Sequence, residues 1–419
     1  MLAALIILIF LVFAALMLTR RMPAILAVPA MAVLMAVAAR TPFAQILNDV
    51  IVAGSRRLVD AYLMVLGGAM LGRVVMQTGI AEGLIKRAAE FGGDRPLAVA
   101  ITMMAAITLL FTTLTGLGAI IMVGGLTLPI MMSLGVPRKL AGVLFLFAYG
   151  LGVVFNIASW GLYKETLKLE SLAAISQFAN YLFAIDAALI VAFLFYAARR
   201  MASYGAWAAR MDEDAKPKGV PLIALLIPIL PLALHKGLAW PVLAAFIISA
   251  IIGVLLTRPR EIVQQLASSA VKGFEDVAAA VILMIGIGML LNTTELPAVK
   301  ASLAPLVQGI NFRSPMVYVA FFGLLSPLAL YRGPLNLYGV GIGLYSLLSA
   351  LNLLPSPALV AAVMSVVQVQ TVSDPTNTHN VWIANYVGVR VEELTRATLL
   401  WKVAVCVLGL IVGAWLYLR

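Results

Sequence analysis

From Ser373 to Trp382 the chain reads Ser-Asp-Pro-Thr-Asn-Thr-His-Asn-Val-Trp, a dense polar run between two apolar stretches. Its groups suit ion and anion chemistry. Asp374 is a carboxylate able to hold a cation or take a proton. His379 titrates near neutral pH, which suits proton coupling. The Ser373 and Thr378 hydroxyls complete a candidate set for cation or proton coupling, while Thr376, Asn377 and Asn380 offer amides and a hydroxyl to a substrate. For each, the competing role is ordinary: Asp-Pro is a helix-breaking turn, and a lone histidine often only satisfies a hydrogen bond.

Three further polar interruptions occur. Phe111 to Gly118 reads Phe-Thr-Thr-Leu-Thr-Gly-Leu-Gly and contributes Thr113, Thr115 and Gly116; Asn156 to Trp160 contributes Asn156 and Ser159; Tyr331 to Asn336 contributes Arg332, Gly333 and Asn336. Arg332 carries the most specific chemistry. A guanidinium at membrane depth costs several kcal/mol unless paired, and its planar fork fits a carboxylate, so an anionic substrate is the economical partner. The alternative is a structural ion pair with Asp186 or Asp374. Arg73, late in an apolar segment, is expected to snorkel toward an interface. His235, beside Lys236, is expected at the surface.

The elements that position these groups follow from composition. Of 419 residues 63% are apolar and 11% charged, and mean hydropathy is +1.06; no soluble domain has this make-up. Leu2 to Leu18, Pro23 to Ala39, Leu58 to Thr78, Phe178 to Ala198, Pro221 to Leu234, Trp240 to Leu256, Val277 to Leu291 and Thr398 to Leu418 approach or exceed the length that crosses about 30 Å of hydrocarbon. The expectation is an all-α polytopic membrane protein. Arg20 and Arg21 follow the first apolar run rather than precede it, so that run reads as a retained helix rather than a signal peptide. A single cysteine, Cys406, leaves neither a disulfide framework nor a cysteine metal site.

The net charge of +11 marks topology rather than nucleic acid binding. With the amino terminus outside, 18 of the 29 Lys and Arg residues, among them Arg20, Arg21, Lys86, Arg210, Lys216, Lys218 and Lys402, fall inside and nine outside, including Lys164, Lys168 and Lys236; Arg73 and Arg332 remain at membrane depth. The bias places both termini outside.

Compared with itself at a shift that sets Met1 against Val220, the chain matches in segment order and at Gly67 with Gly286, Met70 with Met289, Pro96 with Pro315 and Gly124 with Gly343. Residues 1–200 and 220–419 therefore read as two repeats, joined by a charged linker over 201–219. Each repeat holds two spanning helices, an amphipathic stretch (44–57; 261–272), a third helix, a second amphipathic stretch (80–91; 297–309), a re-entrant hairpin (97–134; 316–351), an interrupted helix (140–170; 358–389) and a closing helix. Five spans per repeat is odd, so the second repeat enters the membrane inverted, an arrangement suited to alternating access.

Two stretches carry a family resemblance. Leu66-Gly67-Gly68-Ala69-Met70-Leu71-Gly72-Arg73, leading to Thr78-Gly79-Ile80-Ala81-Glu82, is similar to the third-helix segment of gluconate and citrate permeases, and Thr378 to Val389 is similar to their last site motif. With the order of elements, the chain resembles the ion transporter superfamily of secondary carriers, including its gluconate permease, citrate carrier and dicarboxylate/sodium symporter branches. The paired Asn-Asp of that motif is missing, and the Ser-Asn-Thr signature of the dicarboxylate branch stands here as Thr376-Asn377-Thr378. The resemblance implies a homodimer in a prokaryotic cytoplasmic membrane, with the two hairpin tips and two interrupted helices converging on one site.

The expected function is secondary active transport of a small organic anion, a carboxylate or hydroxycarboxylate, coupled to H+ or Na+ and needing no other cofactor. The alternative is a Na+/H+ antiporter using Asp374 and His379 without organic substrate. The sequence holds no metal-ligand cluster, Gly-x-Ser-x-Gly or Walker motif, so it offers no support for an enzyme.

Overall fold

The computed structural model describes residues 1–19, 21–93, 95–201, 219–339 and 341–419, and among them it contains helices and no strand. The expected linker lies almost wholly outside the described residues, as do Arg20, Arg210, Lys216 and Lys218. Among the described residues seven helices are long and apolar enough to cross a membrane, or eight when Arg138–Val154 and Ile157–Leu167, which meet at 60°, count as one broken span. The protein is a multi-pass membrane protein.

Proline starts many of these helices. Pro96, Pro297 and Pro315 stand in a first turn, and Pro23, Pro137, Pro241 and Pro355 stand at N-caps with ψ between 135° and 146°. A first turn has no use for the N–H that proline lacks, and its fixed φ is already helical.

The elements run in the same order on either side of residues 202–218. The first series is Leu2–Leu18, Ala24–Ala38, a helix from Phe43 to Gln77 with a π-helical stretch over Ile46–Ala53, Ile80–Gly92, Pro96–Phe111, Gly116–Ser133, the broken pair Arg138–Val154 and Ile157–Leu167, and Ala173–Met201. The second is Leu222–Ile229 running into Leu230–Leu238, Val242–Thr257, Ile262–Glu295, Pro297–Gln308, an irregular helix from Pro315 to Arg332, Gly341–Ala350, the pair Ser356–Ser373 and Thr378–Val387, and Val391–Tyr417.

One sequence expectation needs correction. The amphipathic stretches at 44–57 and 261–272 are not separate elements but the first turns of the third helices, and Ile262–Glu295 runs unbroken for 34 residues. No proline divides them, and Gly273 does not stop the helix because it is pressed against a neighbour. A Cβ on Gly273 would lie 2.8 Å from the Ala69 carbonyl carbon and the Met70 nitrogen; a Cβ on Gly54 would lie 2.7 Å from the Met289 Cα, and one on Gly288 would overlap the Gly54 carbonyl oxygen. The two long helices thus cross at two points, and in the register that sets Met1 against Val220, Gly54 corresponds to Gly273 and Ala69 and Met70 to Gly288 and Met289.

Ser356–Ser373 runs through the interior, buried from Ala358 to Ser373. It packs on Val391–Tyr417, Ala173–Met201, Arg138–Val154 and the irregular stretch ending at Arg332. A helix apolar on all sides is stable where protein surrounds it. Its two glutamines, Gln368 and Gln370, both find partners below.

Two charged residues sit elsewhere than their sequence context indicated. Lys402, counted inside, is buried within Val391–Tyr417 with Nζ 2.7 Å from both carboxylate oxygens of Asp186. Its flanks resemble a span end, but Asp186 on a neighbouring helix holds it in the interior. Arg73 does not snorkel: it forms a two-point ion pair with Asp276 of the facing long helix, through Nε to Oδ2 and Nη2 to Oδ1.

Candidate functional site

The break at the polar run begins where Ser356–Ser373 ends. Asp374 precedes a proline, which pushes it out of helical geometry, and it adopts φ −73°, ψ 113°. Asn377, also extended, starts Thr378–Val387. The Asp374 carboxylate is fully buried, and among the described residues no cation lies within ion-pair distance. Neutral donors hold it instead: Oδ1 accepts from the Tyr331 N–H at 3.0 Å, the Thr376 N–H at 2.9 Å and the Thr376 hydroxyl at 2.7 Å, and Oδ2 accepts from the Asn336 amide at 3.3 Å. A buried carboxylate persists only with its lone pairs so occupied.

Two of those donors come from the tip at the end of Pro315–Arg332. There Tyr331 and Arg332 adopt φ of 56° and 59°, two consecutive non-glycine residues in the left-handed region. Such strain persists where the surroundings over-determine it, often at ligand sites. Here the surroundings are identifiable. Asn336 donates to the Ala329 carbonyl at 2.7 Å, the Leu337 N–H donates to Gln370 Oε1 at 2.8 Å, and the Tyr345 hydroxyl donates to the Leu335 carbonyl at 3.0 Å. A Cβ at Gly333 would overlap the Leu328 carbonyl, so the turn admits only glycine.

Within this frame Arg332 is underused. Its one described hydrogen bond runs from Nη1 to the Tyr338 carbonyl at 3.4 Å, and it joins no ion pair among the described residues. Neither expected partner is in ion-pair contact with it: Asp186 is held by Lys402, and the Asp374 oxygens are held by neutral donors, with Asp374 near enough only to act on the Arg332 charge at longer range.

The first-half break has the same logic with different residues. Asn156 caps Ile157–Leu167 by accepting from the Ser159 N–H at 3.3 Å, and its amide donates to the carbonyls of Phe111 and Leu114, both at 3.1 Å. One side chain therefore fastens the break to the turn after Pro96–Phe111. Thr113 spends its hydroxyl on the Leu110 carbonyl at 3.3 Å. Thr115 Oγ1 is buried without a partner. Gly116, at φ 85°, is turned from the other groups toward Asp276, whose backbone oxygen lies 3.2 Å from where its Cβ would be.

The halves meet between the breaks. The Tyr338 side chain, just past the Arg332 tip, lies beside that of Ser159, and the His379 ring stands edge-on to Tyr149 with centroids 4.9 Å apart. Tyr149 in turn contacts Phe111 at 4.8 Å. His379 Nε2 lies 2.8 Å from the Thr371 carbonyl, which only accepts, so that nitrogen carries the proton and Nδ1 is left as the acceptor of the neutral ring. Asn380 donates to the carbonyls of Val372 and Asp374 at 3.1 and 2.8 Å; this fixes its amide and leaves Oδ1 buried with no donor.

The structure thus gathers Arg332, Gly333, Asn336, Asp374 and Thr376 in one network, sets Ser159 beside Tyr338 at its edge, and stands His379 against Tyr149. Asn156 and Asn377 act as local fasteners, the latter donating to the Gln370 carbonyl at 2.7 Å. Ser373 points away, sharing a hydrogen bond with Thr398 at 2.9 Å, and Thr378 is exposed at the start of its helix. Sequence reasoning missed Tyr149, Tyr338 and Gln370. Only Gln370 left a signal, as an amide inside an otherwise apolar helix.

No family model matches the chain, and no curated protein does. Among solved structures, the fold is similar to that of the YdaH transporter of Alcanivorax borkumensis, with a TM-score of 0.60 and 15% identity over 91% of this chain and 89% of that one. At that identity the likeness is one of fold.

Proposed function

We propose that the chain is a secondary active transporter for a small organic anion, a carboxylate or hydroxycarboxylate, of the ion transporter superfamily type. One observation carries the reading: Arg332 stands at a strained tip inside an apolar protein with its fork unclaimed by any described carboxylate. A substrate carboxylate would supply the missing partner, with the hydroxyls of Tyr338 and Ser159 within the same junction to bond its other oxygens. The likeness to a transporter fold supports the class.

In this reading the two series of elements are inverted repeats, the turns after Phe111 and Arg332 are tips of re-entrant hairpins, and access alternates as tips and breaks move against the long crossed helices. A monovalent cation couples transport. Asn380 Oδ1 and Thr115 Oγ1, buried acceptors without donors, are oxygens available to Na+, and Asp374 is the nearby negative charge. The protein works as a homodimer in a prokaryotic cytoplasmic membrane with both termini outside.

Purified protein in proteoliposomes is expected to accumulate a small carboxylate under an imposed proton or sodium gradient. Failure of every carboxylate to move under either gradient overturns the anion reading. The antiporter reading has its own signature, dye-reported proton release on sodium addition with no organic anion present. Arg332 opposes it, because a fixed positive charge repels sodium.

A further inference from the structure

Ile157–Leu167, the arm that follows the first break, is fastened to the long helices in a way that Thr378–Val387 is not. It packs on Val59–Gln77. A Cβ on Gly161 would lie 2.7 Å from Met64 Sδ and 3.1 Å from the Ala61 Cα, and one on Gly68 would lie 3.1 Å from the Ala158 Cβ. Two lysines at its far end then reach across. Lys164 Nζ lies between Glu165 Oε1 of its own arm at 3.3 Å and Asp60 Oδ2 of the long helix at 3.8 Å, and Lys168 Nζ is 2.8 Å from Glu295 Oε2, with the Lys168 backbone at φ 53°. Glu295 is itself held on its other oxygen by Arg57 at 2.6 Å, and Arg57 donates to Asn292 at 2.9 Å. The acceptors therefore stand on a fixed base, while the lysines belong to the arm.

Thr378–Val387 packs on Arg138–Val154, Gly116–Ser133 and Val391–Tyr417 and, among the described residues, forms no ion pair with either long helix. The matching face of Ile262–Glu295 is uncovered: Ala61 is fully buried beneath the first arm, whereas Ala280, its counterpart in the repeat register, is exposed. Its far end carries no lysine: Ile383 and Val387 stand at the places of Lys164 and Lys168 in the repeat register.

We infer that Lys164 and Lys168 form an electrostatic latch that closes this face of the protein, pinning the first arm to Asp60 and Glu295 over the Gly161 contact and biasing the molecule toward the conformation described. The inference rests on the alternating-access reading, since a latch matters only if the arm moves. Exposed pairs are individually weak, so two of them shift a population a few-fold and leave the arm releasable, as a transporter requires.

The test needs no substrate, so its outcome stays separate from that of uptake. In a Cys406→Ala background, Met64→Cys places a thiol beneath Gly161, and its labelling rate by a maleimide in detergent reports lifting of the arm. Lys164→Ala with Lys168→Ala is expected to raise that rate about fivefold, with the melting temperature unchanged. The exchange Lys164→Asp with Asp60→Lys, in the Lys168→Ala protein, is expected to slow labelling again, because an ion pair of either polarity latches. A rate unmoved by the double alanine variant, or an exchanged pair that labels as fast as it, overturns the latch. Uptake without any response of labelling leaves transport standing and removes the latch alone.

Discussion

Lys402 Nζ lies 2.7 Å from each carboxylate oxygen of Asp186, and both side chains are only 1% exposed. The pair joins Ala173–Met201 to Val391–Tyr417, and Lys402 also lies 3.5 Å from Gln368 on the central helix and 5.3 Å from the Phe147 ring centroid. Removing one member leaves the other charge stranded in a low-dielectric interior. Lys402→Ala is therefore expected to cost about 3–5 kcal/mol of stability. Lys402→Met with Asp186→Leu should return to within about 1 kcal/mol of the parent or exceed it, because no charge remains to be compensated. Chemical unfolding in detergent decides the point: equal losses in the single and double variants would mean that something other than the stranded charge is at work.

Arg332 leaves no ion partner behind when it is removed, so its loss should spare stability and strike transport. Arg332→Ala is expected to change unfolding free energy by less than about 1 kcal/mol and to reduce carboxylate uptake at least about tenfold. Arg332→Lys keeps the charge but not the fork, and should raise KM with a smaller effect on maximal rate. Uptake unchanged in Arg332→Ala would remove Arg332 from the substrate site.

Asp374 is expected to behave in the opposite way. Asp374→Ala strands the donors of Tyr331, Thr376 and Asn336 and should cost about 1–3 kcal/mol or more. Asp374→Asn keeps an oxygen for Tyr331 and Thr376, so its loss should be smaller. If Asp374 supplies the coupling charge, the Asn variant should still exchange substrate down its gradient while no longer accumulating it against one. Accumulation by Asp374→Asn at the parental level would assign the coupling to other groups.

Gly288→Ala and Gly273→Ala test the two crossings of the long helices. Each adds a methyl where the opposing backbone leaves no room, and each is expected to cost about 1–3 kcal/mol in thermal unfolding. Gly309→Ala is the control, because a Cβ there meets nothing within 4 Å. Similar melting temperatures for all three would mean that the crossings yield easily.

Much of this layout was legible in the sequence because hydrophobic length and proline and glycine placement are local signals. The break at Asn156, the turn after Phe111 and the Asp374-Pro375 interruption all fall where polar residues interrupt an apolar run. The partners of the charges were not legible. Asp186 meets Lys402, and Asp276 meets Arg73, across some two hundred residues of chain, and nothing near either residue in sequence announces the contact. The same holds for Asn336 and Gln370, whose roles depend on which carbonyl or N–H the fold brings within reach. Tyr149 and Tyr338 escaped notice for a different reason: in an apolar segment a tyrosine reads as bulk, and only the fold reveals where its hydroxyl ends.

The two crossing points on Ile262–Glu295, at Gly273 and Gly288, are fifteen residues apart, about 22 Å along the axis. A rod touching its neighbour once can pivot; a rod clamped at two separated points can neither swivel nor slide without breaking both. The long helices therefore form a rigid chassis, and whatever freedom the molecule has must lie in the arms and tips mounted on it.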